Sequence, residues 1–121
     1  MAIDKNLVQG SMGMMLMRLL ESKDMYGYEM IETLRGKSDN VFELKAGTLY
    51  PLLHSLEEKR FLSSYEDDAT GKKRKYYHLT ATGRKQLSQK KEEWNIYAAA
   101  VSSVLNMDNV NGRFVCEEGF A

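Results

Sequence analysis

Asp68-Ala69-Thr70-Gly71-Lys72-Lys73-Arg74-Lys75-Tyr76-Tyr77-His78-Leu79-Thr80 holds a turn, a basic strand and a helix start in immediate succession. The glycine-bearing loop at 68–71 separates two short runs, 61–67 and 73–79, that read as the arms of a β-hairpin. Thr80 is a residue type that caps helix N-termini, because its hydroxyl accepts from an amide that has no intrahelical partner. A long final helix is therefore expected from Thr80 to about Asn106. At ~1.5 Å per residue it would be about 40 Å long, more than so small a body can cover.

Upstream of the hairpin the period is helical. Ser11 is a candidate N-cap for a first helix over 11–22, with Met12, Met15, Leu16, Leu19 and Leu20 at helical spacings. Asp24 and the Tyr26-Gly27-Tyr28 turn lead into a second helix ending near Leu34. Met30, Ile31 and Leu34 form its apolar face, and Gly36 suits a terminal position that needs positive φ. A polar loop at 37–40 precedes a third helix, expected over 46–59, whose Leu49, Leu52, Leu53 and Leu56 make a buried stripe. Pro51, the single proline, sits early in it, where a missing N–H costs little.

The 121 residues suit one domain with an appended element, and 43% hydrophobic with 28% charged residues describes a globular chain. No stretch approaches the ~20 apolar residues of a membrane-spanning helix, and no export signal is expected at the N-terminus. The lone Cys116 cannot form an internal disulfide, so a cytoplasmic location is the default expectation. Formal net charge is zero, but its distribution is uneven. Lys72, Lys73, Arg74, Lys75, Arg84, Lys85, Lys90 and Lys91 fall between 71 and 91 without one acidic residue. A local basic patch is what neutralises a polyanion, although a charge run is often only a solvated face.

Three helices, a basic hairpin and a long helix, in that order, are expected to form an α+β, mostly α, fold: a winged helix-turn-helix head with a long C-terminal dimerisation helix. The expected divisions are a DNA-binding domain over 1–79, the dimerisation helix over 80–106, and a loose or short docked tail over 107–121. A helix fits the major groove of DNA, and a hairpin can lie along the neighbouring backbone. The third helix would present Lys45, Thr48, Tyr50 and His54 near its N-terminal end, whose free amides and positive dipole favour phosphate. Lys72, Lys73, Arg74 and Lys75 would add phosphate contacts. Each part has a plainer use, since lysines protect edge strands and Tyr76 and Tyr77 are more often packing residues than base-stackers. Only the conjunction points to DNA.

The blocks Leu16-Met17-Arg18-Leu19-Leu20, Met25-Tyr26-Gly27-Tyr28-Glu29, Gly47-Thr48-Leu49-Tyr50-Pro51-Leu52-Leu53 and Gly71-Lys72-Lys73-Arg74-Lys75-Tyr76-Tyr77-His78-Leu79-Thr80-Ala81-Thr82-Gly83 resemble the PadR family of bacterial transcriptional regulators. The resemblance covers about 7–105. It implies a homodimeric repressor on near-palindromic operators, often beside transporter or stress-response genes and often answering to a small aromatic or cationic effector. It also implies that Tyr26 begins the second helix of the reading head. By the same resemblance Lys45, Thr48, Tyr50 and Pro51 belong to the recognition helix, and Lys72, Lys73 and Arg74 to the wing. Two positions depart from the pattern: Lys72 stands where arginine is frequent, losing the bidentate fork, and Arg60 stands where glycine is common.

In the last helix Leu87, Trp94 and Val101 are seven apart, with Ala98 and Leu105 completing a coiled-coil-like seam. Its expected partner is a second copy, which would set two heads on half-sites about 34 Å apart. Met12 and Met15 of the first helix would help cover the seam. Trp94 is an interface anchor or, as the resemblance to multidrug-responsive members implies, an effector contact, with Met12 beside it. The competing use of such a fold is protein–protein contact without DNA. Enzymatic activity is not expected, nor a metal or cofactor: His54 and His78 lie on different elements, no ligand spacing suggests zinc, and no glycine-rich phosphate loop opens a helix.

Overall fold

The computed structural model describes residues 4–107; the expected tail, Met107 apart, lies outside the described residues, as does Cys116. The chain divides into two compact units, Met1–Lys90 and Lys91–Ala121.

The first unit begins with a short helix that the sequence pattern did not suggest, α1 (Lys5–Val8), followed by α2 (Met12–Ser22). Ser11 stands at the N-cap of α2, but its hydroxyl donates to the Val8 carbonyl at 3.1 Å and caps no amide. α2 buries Leu16, Leu19 and Leu20 at the expected spacings, with Met12 and Met17 beside them. Next come a two-residue strand, β1 (Met25–Tyr26), and α3 (Gly27–Lys37). The expectation that α3 ends near Leu34, with Gly36 in a left-handed conformation, is corrected: Gly36 is helical. The positive φ falls later, on Asp39 (56°) and Asn40 (68°). Short polar side chains tolerate that region, and Asn40 N–H closes the turn on the Arg35 carbonyl at 2.8 Å.

α4 (Ala46–Glu58) turns Leu49, Leu53 and Leu56 into the core, while Leu52 is half-buried. Pro51 is the sixth residue of α4, past the first turn, so the bond from residue 51 to the Gly47 carbonyl cannot form. The helix ends in a paired closure. Arg60 N–H donates to the Glu57 carbonyl at 2.9 Å and Phe61 N–H to the Leu56 carbonyl at 3.0 Å. That is the Schellman pattern, which requires a left-handed residue. Arg60 adopts it at φ 67° where glycine would do so without strain.

The hairpin of β2 (Leu62–Asp67) and β3 (Arg74–Leu79) forms as expected. It belongs to a three-stranded antiparallel sheet, order β1-β3-β2, in which Tyr26 pairs with Tyr76 and Tyr65 pairs with Tyr76. Strand alternation sends Leu62, Tyr77 and Leu79 inward and Tyr65, Tyr76 and His78 outward.

α5 (Ala81–Leu105) starts at Thr80, whose hydroxyl accepts from Gly83 N–H at 2.9 Å. The same hydroxyl donates to the carbonyls of Arg60 (2.8 Å) and Phe61 (3.0 Å), joining the start of α5 to the end of α4. Gly83 permits this approach, because a Cβ there would overlap the Phe61 carbonyl oxygen. Four residues on, Leu87 is buried in the same core at 1% exposure, a burial that contributes roughly 1.5–3 kcal/mol.

Two members of the expected seam are thereby reassigned. Leu87 and Met12 belong to the core of the first unit, since α5 must first cover the head. Met15 is half-buried and packs against that core. In the second unit, described from Lys91 to Met107, Trp94, Val101 and Leu105 are exposed and Ala98 is half-buried. The Trp94 and Tyr97 rings lie 6.2 Å apart.

Candidate nucleic-acid interface

The amino-terminal end of α4 is polar, outward-facing and electropositive. Lys45 is the N-cap in an extended conformation, and no acidic residue occupies the first turn. Amides 48 and 49 both return to the Lys45 carbonyl, so those of Ala46 and Gly47 remain the first without intrahelical acceptors. With Leu49, Leu53 and Leu56 turned inward, the 3.6-residue period puts Thr48, Tyr50, Pro51 and His54 outward; these four are exposed, as is Lys45 at the extended N-cap. His54 is in addition 3.3 Å from Glu58, one turn on.

Tyr50 differs from its neighbours. It is 48% exposed, yet its hydroxyl end rests on the first residue of α3, where a Cβ on Gly27 would overlap both hydroxyl and ring. The side chain is thus held at its tip.

The wing is less basic than the run at 72–75 suggests. Antiparallel pairing sets Glu66 opposite Lys75 and Asp67 opposite Arg74, and Lys73 forms a 3.3 Å ion pair with Glu66. Lys75 lies over the Tyr77 ring at 5.5 Å. The loop turns through Gly71 at φ 86°, and Asp67 accepts from the Ala69 amide at 2.9 Å. Lys73 is the one wing cation in an ion pair among the described residues; Lys72, Arg74 and Lys75 form none. Arg74 is placed by an aromatic ring: its guanidinium lies 4.3 Å from the Tyr26 ring centre. A stacked arginine keeps the edges of its fork for phosphate oxygens.

Tyr26 closes β1 and stands at the N-cap of α3, immediately before its first residue Gly27, and it belongs to a row of rings across the outer sheet face. Its ring meets Tyr76 edge-on (5.5 Å, 72°), and Tyr76 stacks on Tyr65 (5.8 Å, 12°). The Tyr65 hydroxyl donates to Asp24 at 2.6 Å, and the other Asp24 oxygen lies 2.8 Å from His78 Nδ1. The hydrogen bond to Asp24, with some desolvation, pushes the Tyr65 phenol up to about 12. Burial likewise raises the Tyr77 phenol.

Three participants were not singled out from sequence. Tyr28 is 62% exposed in the first turn of α3, Gly27 seats Tyr50, and Glu66 pairs with a wing lysine. The Tyr26-Gly27-Tyr28 triplet pointed to the place. The Gly27 contact had no local sign, because its partner lies on another helix.

A helix with a polar outward N-terminal end, backed by two further helices and flanked by a charged hairpin, defines a winged helix-turn-helix head. The chain belongs to the PadR-like family of transcriptional regulators, whose model matches residues 16–89. It is similar to a transcriptional regulator from Clostridium thermocellum, with 32% identity, a TM-score of 0.76, and coverage of 81% of this chain and 96% of that one. A PadR family transcription regulator from Clostridium difficile is 34% identical with a TM-score of 0.71, covering 80% of this chain and 100% of the other. An uncharacterized protein of Lysinibacillus sphaericus is 34% identical over 93 residues, 76% of this chain and 85% of its own length. The family consists of DNA-binding regulators and not enzymes. Among the described residues no helix is long and apolar enough to cross a membrane.

Proposed function

We propose that the protein is a homodimeric repressor that binds a near-palindromic operator in double-stranded DNA, acting in the cytoplasm. Each head lays the N-terminal end of α4 in the major groove, where Lys45, Thr48, Tyr50, Pro51 and His54 are available. The wing follows the adjacent backbone through Lys72, Lys73, Arg74 and Lys75. The observation that carries this reading is the outward, acid-free first turn of α4. Homodimerisation is supported by the apolar side chains Trp94, Val101 and Leu105, which remain exposed with helical spacing; their occupant is the same stretch of a second copy. A flat aromatic or cationic effector would act on this seam through Trp94. Met12, 7% exposed, is reachable by such a compound only if the head core rearranges.

Binding to the DNA upstream of the protein's own coding region, measured by fluorescence anisotropy across a salt series, tests the reading. Operator affinity should fall steeply as salt rises, as counterion release requires, and should exceed that for scrambled duplex. Trp94 quenching by an aromatic or cationic panel, with release of operator, tests the effector. A second use, protein–protein contact without DNA, is favoured by one observation, the near cancellation of wing cations by Glu66, Asp67 and Asp68. No duplex binding at ~50 mM salt would select it.

A further inference from the structure

We infer that the Tyr26–Gly27 step is a positioning joint that holds the recognition helix and the wing in one register, so that Tyr50 and Arg74 engage a half-site as a unit. The inference rests on the DNA-binding reading above and concerns two residues that need not touch DNA themselves.

The two contacts fall on consecutive residues. On Tyr26 rests the Arg74 guanidinium, 4.3 Å from the ring centre. On Gly27 rests the Tyr50 hydroxyl, so close that any side chain at 27 would overlap it. Their Cα atoms are about 3.8 Å apart and share a peptide plane, whose torsion is stiff. Neither neighbour is free to move. Tyr26 pairs with Tyr76 in the sheet, and its ring is propped edge-on by that same residue. Tyr76 is stacked on Tyr65, which is held by Asp24. Gly27 is the first residue of α3 and is buried. A tilt of α4 that moves Tyr50 therefore presses on the backbone carrying Tyr26, and the strand bearing Tyr26 cannot yield without dragging Arg74.

The geometry also states which side chains each position accepts. Position 26 needs a ring face for a cation, which phenylalanine supplies and leucine does not. Position 27 needs the absence of Cβ, because the space is occupied by a rigid aromatic tip.

The test is a double-mutant cycle on operator affinity with Tyr50→Ala and Arg74→Ala, together with Tyr26→Phe, Tyr26→Leu and Gly27→Ala. Coupling between Tyr50 and Arg74 is expected, the double variant losing several-fold less affinity than the product of the single losses. Tyr26→Phe should bind like the parent, whereas Tyr26→Leu should lose about fivefold. Gly27→Ala should lower the operator-to-random ratio more than it lowers random-DNA binding. Where Gly27→Ala compromises folding, Gly27→Ala/Tyr50→Ala should restore the thermal midpoint. In parallel, the Arg74 Nε–Hε resonance of free protein reports its seat over the ring. Gly27→Ala should shift it, and Gly27→Ala/Tyr50→Ala should return it. Those shifts without any DNA binding by the parent would retain the joint and discard the DNA reading. Additive energies in the cycle, or an Arg74 resonance indifferent to residue 27, overturn the joint.

Discussion

Tyr65 and Asp24, 41 positions apart in the chain, are joined by a 2.6 Å hydrogen bond on the outer face of the sheet. The second Asp24 oxygen lies 2.8 Å from His78 Nδ1, so one carboxylate ties the α2–β1 connection to both arms of the hairpin. Burial pushes the Asp24 carboxyl up, but the hydrogen bonds to Tyr65 and His78 and the charges of His78 and Arg84 outweigh it. The group is held below its ordinary value of 3.8. A carboxyl depressed in the folded state stabilises the fold above its unfolded value, and that contribution disappears as pH falls through the depressed one. The thermal midpoint of the parent should thus fall more steeply than that of Asp24→Asn below about pH 4. Parallel acid limbs in the two proteins would mean that the Asp24 carboxylate does not stabilise the fold through Tyr65 and His78.

Arg60 closes α4 at φ 67°, a conformation that glycine adopts at no steric cost. Arg60→Gly should raise unfolding free energy by about 0.5–1 kcal/mol, the strain of a left-handed non-glycine offset by glycine's greater unfolded-state entropy. The Thr80 hydrogen bond survives the change, since Arg60 receives it on its backbone carbonyl. Urea titration with an unchanged slope would register the gain, and a loss would mean that the arginine side chain makes a stabilising contact.

Leu87 and Val101 stand two heptads apart on one helix but serve different ends. Leu87→Ala should cost about 2–5 kcal/mol of folding stability, as for other buried leucines. Val101→Asp should leave the unfolding profile of the head nearly unchanged and shift the protein toward monomer in sedimentation equilibrium. If Val101→Asp sediments as the parent does, the second copy must dock elsewhere.

Glu66 sits 3.3 Å from Lys73 on the wing. If the wing follows the phosphate backbone, Glu66→Gln should strengthen binding to operator and random duplex alike and steepen the dependence on log salt by up to ~1. A gain confined to operator would instead make Glu66 a reader of sequence.

Much of the head was legible because its signals are local. The Leu49–Leu53–Leu56 stripe, the glycine loop at 71 and the Thr80 cap each depend on residues within a turn or two of one another, and the structure keeps all three. The oddity of Arg60 was legible too, although its φ was not. By contrast β1 is two residues long, too short to show a period, and it exists because β3 offers it an edge. The left-handed turn went to Asp39 and Asn40 and not Gly36, since the helix found another turn's worth of hydrogen bonds.

By itself the sequence determined the order of α2, α3, α4, the hairpin and α5, the faces that α2, α3 and α4 bury and the residue types at the exposed end of α4, because periodicity and capping act over a few residues. The tertiary structure alone decided which of two identically spaced apolar residues, Leu87 or Trp94, is spent on the core. It alone set Arg74 on Tyr26, Tyr50 on Gly27 and Glu66 against Lys73. Those contacts join elements whose separation in sequence carries no periodic signal, and they form only once packing has brought the surfaces together.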